Sequence, residues 1–136
     1  LAATGAAAVT GILVLGGAAG SWYWLARRQR ARKLARARKL RNRRLDSLRK
    51  RREAVLLEWS SYELDPWKGA EYPGLADVRE KETSLLARAS REAQAAQEAA
   101  SDDAADEDAV NRYGSAVQEL ESAWEQALEA ARRRAG

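Results

Sequence analysis

The feature that most constrains this chain is an abrupt change of chemistry at Arg27. The 26 residues from Leu1 to Ala26 carry no charged side chain, and Arg27-Arg28-Gln29-Arg30-Ala31-Arg32-Lys33 follows at once. That break reads as the end of a transmembrane helix. At 1.5 Å per residue a helix of this length spans ~39 Å, enough to cross a ~30 Å hydrocarbon core with some tilt. Its apolarity is thin, because the strongly apolar residues are mainly Val9, Ile12, Leu13, Val14 and Leu15 among many Ala and Gly. Each contributes only about −0.3 to −0.6 kcal/mol to insertion, so the span is marginal by itself. The chain begins at Leu1 rather than Met, which is compatible with a longer gene product.

Trp22, Tyr23 and Trp24 stand where the helix should leave the lipid, and Arg27, Arg28 and Arg30 follow at headgroup level. Together they form the expected membrane-interface set, since aromatic side chains and cations concentrate at that boundary. Positive charge after the span places the remainder in the cytoplasm, giving a single-pass protein of the cell membrane with its C-terminal part inside. A cleaved signal peptide would carry its positive charge before the apolar core rather than after it. A buried helix of a soluble protein fits the length and flanks less well. Gly16 and Gly20 form a GxxxG pair that would let a second helix approach closely, although so small-residue-rich a span can contain one without using it.

The net charge of +4 conceals a strong polarity. Residues 27–52 hold fifteen Lys or Arg against the single acid Asp46, a net +14. Residues 1–26 being uncharged, residues 53–136 must carry −10 to leave +4 overall. Residues 27–52 lack Gly and Pro, so the span should continue as a basic juxtamembrane helix. Anionic lipid headgroups attract such residues by ~1 kcal/mol each, but only within a Debye length of ~8 Å. Cations farther along must meet water, an acidic protein partner or the chain's own acidic half. Nucleic acid fits less well, because no aromatic interleaving or recognised binding motif accompanies the Arg.

About 110 residues remain after the span, enough for one small domain. Leu45, Leu48, Val55, Trp59 and Tyr62 follow a three-four spacing interrupted at Arg52, predicting a helix over 45–64 that stops before Asp65-Pro66. Pro66, Gly69, Pro73 and Gly74 predict a loop over 65–76. A second helix is expected over 77–100, with Val78, Leu85, Leu86, Ala89, Ala93 and Ala96 inward. A third, over 107–134, carries Val110, Tyr113, Val117, Leu120, Trp124, Ala127 and Ala131 in an unbroken heptad pattern. The expected fold is therefore all-α: an N-terminal transmembrane helix over 1–26, a basic helical stalk over 27–52, and a cytoplasmic helical domain over 45–136. That domain is a small antiparallel bundle or an intermolecular coiled coil.

Chemistry is harder to find. The chain has no His and no Cys, which removes the side chains most used for transition-metal binding, acid–base work near neutrality and thiol nucleophilicity. Asp102, Asp103 and Asp106 match DDxxD, a magnesium–diphosphate spacing, but no second acidic motif accompanies them and the tract suits a linker or the first turn of a helix. There is no EF-hand loop, P-loop or GxGxxG, and no serine signature of the kind a hydrolase needs. No catalytic, cofactor or metal residue is expected. Trp59, Tyr62, Trp67 and Tyr72 could form a recognition patch or fill the bundle core.

Arg outnumbers Lys 19 to 5 and Ala is abundant, the bias of a high-GC bacterial genome. The stretch Trp59-Ser60-Ser61-Tyr62-Glu63-Leu64-Asp65-Pro66, then Tyr72-Pro73-Gly74-Leu75-Ala76-Asp77-Val78, resembles a segment of uncharacterised actinobacterial single-pass membrane proteins. In those a W-x-x-Y-x-x-D-P stretch and a Y-P-x-L-x-D-V stretch follow a span and precede further helices. The resemblance covers some 20 residues and implies the architecture and a bacterial envelope, without an activity. These observations together predict a non-enzymatic, membrane-anchored helical adaptor or accessory subunit of a membrane complex, contacting anionic lipid and a protein partner. The alternative is a self-assembling coiled-coil stalk or a lysis- or assembly-type structural protein.

Overall fold

The computed structural model describes the backbone of residues 2–77 and 79–135 and the side chains of 19–77 and 79–135. Among these residues all regular structure is helical. Helix α1 runs Ala2–Leu64, α2 Pro66–Glu71, α3 Lys81–Ala100 and α4 Glu107–Ala135, with a 3₁₀ turn at Pro73–Ala76. Contacts divide the chain into two units, Leu1–Leu40 and Arg41–Gly136, and each is taken by itself.

In the first unit the described side chains are solvent-exposed throughout. No helix among the described residues is long and apolar enough to cross a membrane. Val9, Ile12, Leu13, Val14, Leu15 and Gly16 lie outside the described side chains.

The second unit is a three-helix bundle formed by residues 41–64 of α1, α3 and α4. Its order can be read from pairs along α1. Leu48 clusters with Ala100, Val110 and Tyr113, whereas Val55, seven residues on, clusters with Ala93, Leu86, Leu120 and Trp124. As α1 advances, its partners on α3 move backward and those on α4 forward, so α3 is antiparallel to both neighbours. The heptad seam therefore closes within the chain. Val110, Tyr113, Val117, Leu120, Trp124, Ala127 and Ala131 are all buried. Burying side chains such as Leu86 and Leu120 contributes about 1.5–3 kcal/mol each. Small Ala89 and Ala93 beside Ala127 and Ala131 let α3 and α4 approach closely along their length.

Three expectations are corrected. The segment 65–76 is no open loop, because Pro66 ends α1 and also begins α2. Its missing N–H costs nothing at a first helical position, and Asp65 caps the turn by accepting from the Trp67 N–H at 3.0 Å. The second helix starts at Lys81 rather than 77. Asp77 accepts from the Arg79 N–H at 3.0 Å and from the Glu80 N–H through its carbonyl at 3.1 Å, a turn that competes with helix. Of the inner face assigned to that helix, Leu86, Ala89 and Ala93 are buried and Ala96 partly so, but Leu85 is 43% exposed. Leu75 and Thr83 are buried instead, Thr83 donating to the Gly74 carbonyl at 2.7 Å. Val78 lies outside the described residues.

Candidate functional site

Two surfaces and one closed aromatic cluster account for the residues singled out above. In the first unit Trp22, Tyr23 and Trp24 are 77, 69 and 58% exposed. Three consecutive large aromatic rings thus form one contiguous exposed patch among the described residues. The Arg28 guanidinium lies 5.2 Å from the Trp24 ring, tying the cationic run to the aromatic one. Gly20 has open space where a side chain would be, with nothing within 4 Å.

Arg27, Arg28, Arg30, Arg32, Lys33 and Arg36 are all exposed. At about 100° per residue they point in every direction around α1, leaving no neutral face.

The cations from Arg41 onward have a different environment. Arg41 donates from Nη2 to the carbonyls of Ala100 at 2.9 Å and Asp102 at 2.7 Å, satisfying carbonyls at the end of α3. Arg44 Nη1 donates to Asn111 Oδ1 at 2.7 Å. Arg51 grips Glu121 through both Nε, at 3.2 Å, and Nη2, and this hydrogen bond raises the Arg51 pKa. Arg52, the interruption in the apolar stripe, reaches Gln97 Oε1 at 2.6 Å. The basic run is thus split: its second part clamps the bundle's own α3 and α4.

The four aromatic residues weighed as one patch are also split. Trp59 donates its indole N–H to the Leu75 carbonyl at 2.9 Å. Tyr62 stacks tilted against Tyr72 at 5.8 Å and Trp124 at 5.7 Å, and its burial raises the phenol pKa. These three cap the core. Gly69 permits the cap, because a Cβ there would meet the Tyr62 carbonyl oxygen at 2.9 Å. Trp67 instead is 87% exposed and is the part of the candidate patch open to a partner.

Two of the three DDxxD carboxylates are engaged locally. Asp102 accepts from the Ala104 N–H at 3.0 Å, and Asp106 accepts from the Ala109 N–H at 2.9 Å in the first turn of α4. Among the described residues no group of three His, Cys, Asp or Glu could hold a metal ion.

Sequence reasoning missed the Arg41, Arg44, Arg51 and Arg52 clamps, since nothing in a charge run marks which cations face an acceptor. It also passed over Gly114, the sole glycine of α4. A glycine inside a helix costs about 1 kcal/mol relative to Ala, so in so Ala-rich a helix it was a readable sign. A Cβ at 114 would come within 3.3 Å of Arg44 Nη2 and 3.9 Å of Leu48 Cδ1.

No protein-family model, no curated protein and no solved structure matches this chain, so its role is argued from its own chemistry.

Proposed function

We propose that this chain is a non-enzymatic, membrane-anchored helical adaptor or accessory subunit of a membrane complex, with its bundle on the cytoplasmic side. The observation that carries this reading is the contrast between a bundle that closes on itself and an uncovered Trp22-Tyr23-Trp24 set followed by cations on every side of α1. The uncharged residues before it are the anchor, the aromatic belt and Arg27, Arg28 and Arg30 meet interface and anionic headgroups, and exposed Trp67 is the anchor point for a protein partner. A self-assembling stalk would need an intermolecular seam. Burial of the α4 heptad residues inside one chain supports the adaptor over that alternative.

The test is carbonate washing of membranes that carry the full chain fused at its C terminus to a reporter active only in the cytosol, followed by mild crosslinking and mass spectrometry. Retention in the pellet, reporter activity and one stoichiometric membrane complex are expected. Release into the wash overturns the anchor, and recovery of the chain crosslinked only to itself overturns the adaptor.

A further inference from the structure

A groove of about 500 Å³ lies between α1 and α4. Arg44, Ser47 and Arg51 line it from α1, and Asn111, Ser115 and Gln118 line it from α4, with Gly114 between them. Residues spaced three and four apart on each helix share a face, so these polar side chains run along two turns of each helix, with the apolar Leu48 beside them on α1. No lining residue is a carboxylate.

The two arginines differ in what neutralises them. Arg51 is already paired with the Glu121 carboxylate, whereas Arg44 donates to the uncharged Asn111 carboxamide. Arg44 therefore keeps its charge available at the groove. Arg41 and Arg52, whose hydrogen-bond acceptors are likewise uncharged, add to the positive potential along this stretch of α1. A guanidinium offers a planar fork of donors that matches phosphate oxygens, and the neighbouring hydroxyls and carboxamides suit the oxygens of a polyol. The space exceeds what a bare phosphate fills. Gly114 makes room for the Arg44 guanidinium, because even a methyl group there would sit 3.3 Å from Arg44 Nη2 and a longer side chain would displace it.

We propose that this groove is a binding site for the phosphate ester of a small polyol, with Arg44 on the phosphate and Ser47, Ser115, Asn111 and Gln118 on the hydroxylated part. A glycerol-type lipid headgroup and a free sugar or glycerol phosphate share that chemistry. The inference does not depend on the adaptor reading, since every residue in it belongs to the bundle.

The test is NMR on the full chain in phosphatidylcholine nanodiscs, following the Gly114 and Ser115 amides and the Arg44 Nε–H during titration with glycerol 3-phosphate, inorganic phosphate and sodium chloride. Saturable shifts are expected with glycerol 3-phosphate, weaker ones with inorganic phosphate, and none that saturate with chloride. Arg44→Gln, at an exposed position, should weaken binding at least tenfold and Gly114→Leu should abolish it, while Arg133→Gln, at an exposed residue in the last turn of α4, should change nothing. In phosphatidylglycerol nanodiscs, the same shifts before any addition would identify a lipid headgroup as the source. Their appearance only with the soluble ester would identify a free ligand. Shifts that merely track ionic strength, or saturable shifts unchanged by Arg44→Gln, would overturn the site.

Discussion

Two stretches of α1 with nearly the same composition behave differently. Residues 27–40 carry eight Lys or Arg that stand exposed, with Arg28 over the Trp24 ring. Residues 41–52 carry seven, of which Arg41, Arg44, Arg51 and Arg52 reach acceptors on α3, α4 or the turn between them. A basic run is not one functional object. Its role changes where the chain supplies helix-end carbonyls, a carboxylate or a carboxamide within reach of the guanidinium.

The largest test of that contrast is Leu120→Ala. Leu120 is fully buried, so truncation should destabilise the bundle by about 2–5 kcal/mol in thermal or denaturant unfolding. Binding of residues 27–40 to anionic vesicles should be unchanged, and a parallel loss of affinity would show that the stretches are coupled. Next, Arg41→Ala removes a two-carbonyl clamp at a half-buried position and should cost about 1–2 kcal/mol of stability. Arg30→Ala should leave stability within about 0.5 kcal/mol but weaken vesicle binding by about 1 kcal/mol, roughly fivefold. Equal effects of the two substitutions on both readouts would erase the distinction.

Tyr113 sharpens the comparison from the bundle side. Its ring is buried, yet its hydroxyl has no hydrogen-bond partner among the described residues. Tyr113→Phe should therefore be neutral or stabilising by up to about 1 kcal/mol, and a loss above that would reveal a bound water or partner on the hydroxyl. Burial also raises the Tyr113 pKa. Its contribution is complete below the pKa of an unfolded tyrosine and is lost as pH rises through the higher folded value. Alkaline unfolding should accordingly begin at higher pH in Tyr113→Phe.

The smallest effect is expected at the far end of α4, where Arg134 lies 2.9 Å from Glu82 and 3.1 Å from Glu80. The Arg134 hydrogen bond holds the Glu82 carboxyl below the usual carboxylate range. That contribution is present above the unfolded carboxylate pKa and disappears as pH falls through the lowered folded value. Arg134→Gln should return the Glu82 pKa toward its ordinary value by NMR titration, with little change in melting temperature because the pair is exposed.

The α4 seam was legible because burial leaves a one-dimensional trace: residues at spacings of three and four face the same way wherever the partner comes from. The end of α1 was legible because proline disfavours helix in the residue before it. Leu85 and Leu86 show where such reasoning stops. They are neighbours about 100° apart on the helix, and only the position of α4 and of the 3₁₀ turn decides that one is buried and the other exposed. Trp59 and Trp67 differ for the same reason, since the first reaches the Leu75 carbonyl and the second follows the turn into solvent. Asp65-Pro66 was read as a stop, although the same two residues also start α2.

Chain order alone was sufficient for the helical class, the polarity from uncharged to basic to acidic, the heptad face of α4 and the lack of His and Cys. Each is a property of residue type or of spacing along one strand of sequence. Tertiary structure alone decided that the seam closes within the chain and that the basic run divides near Arg41. It also exposed Trp67 while Trp59, Tyr62 and Tyr72 cap the core, and opened a polar groove beside Gly114. Each of those requires two distant segments to meet, and the distance between a guanidinium and its acceptor is set by how α1, α3 and α4 pack rather than by any local propensity.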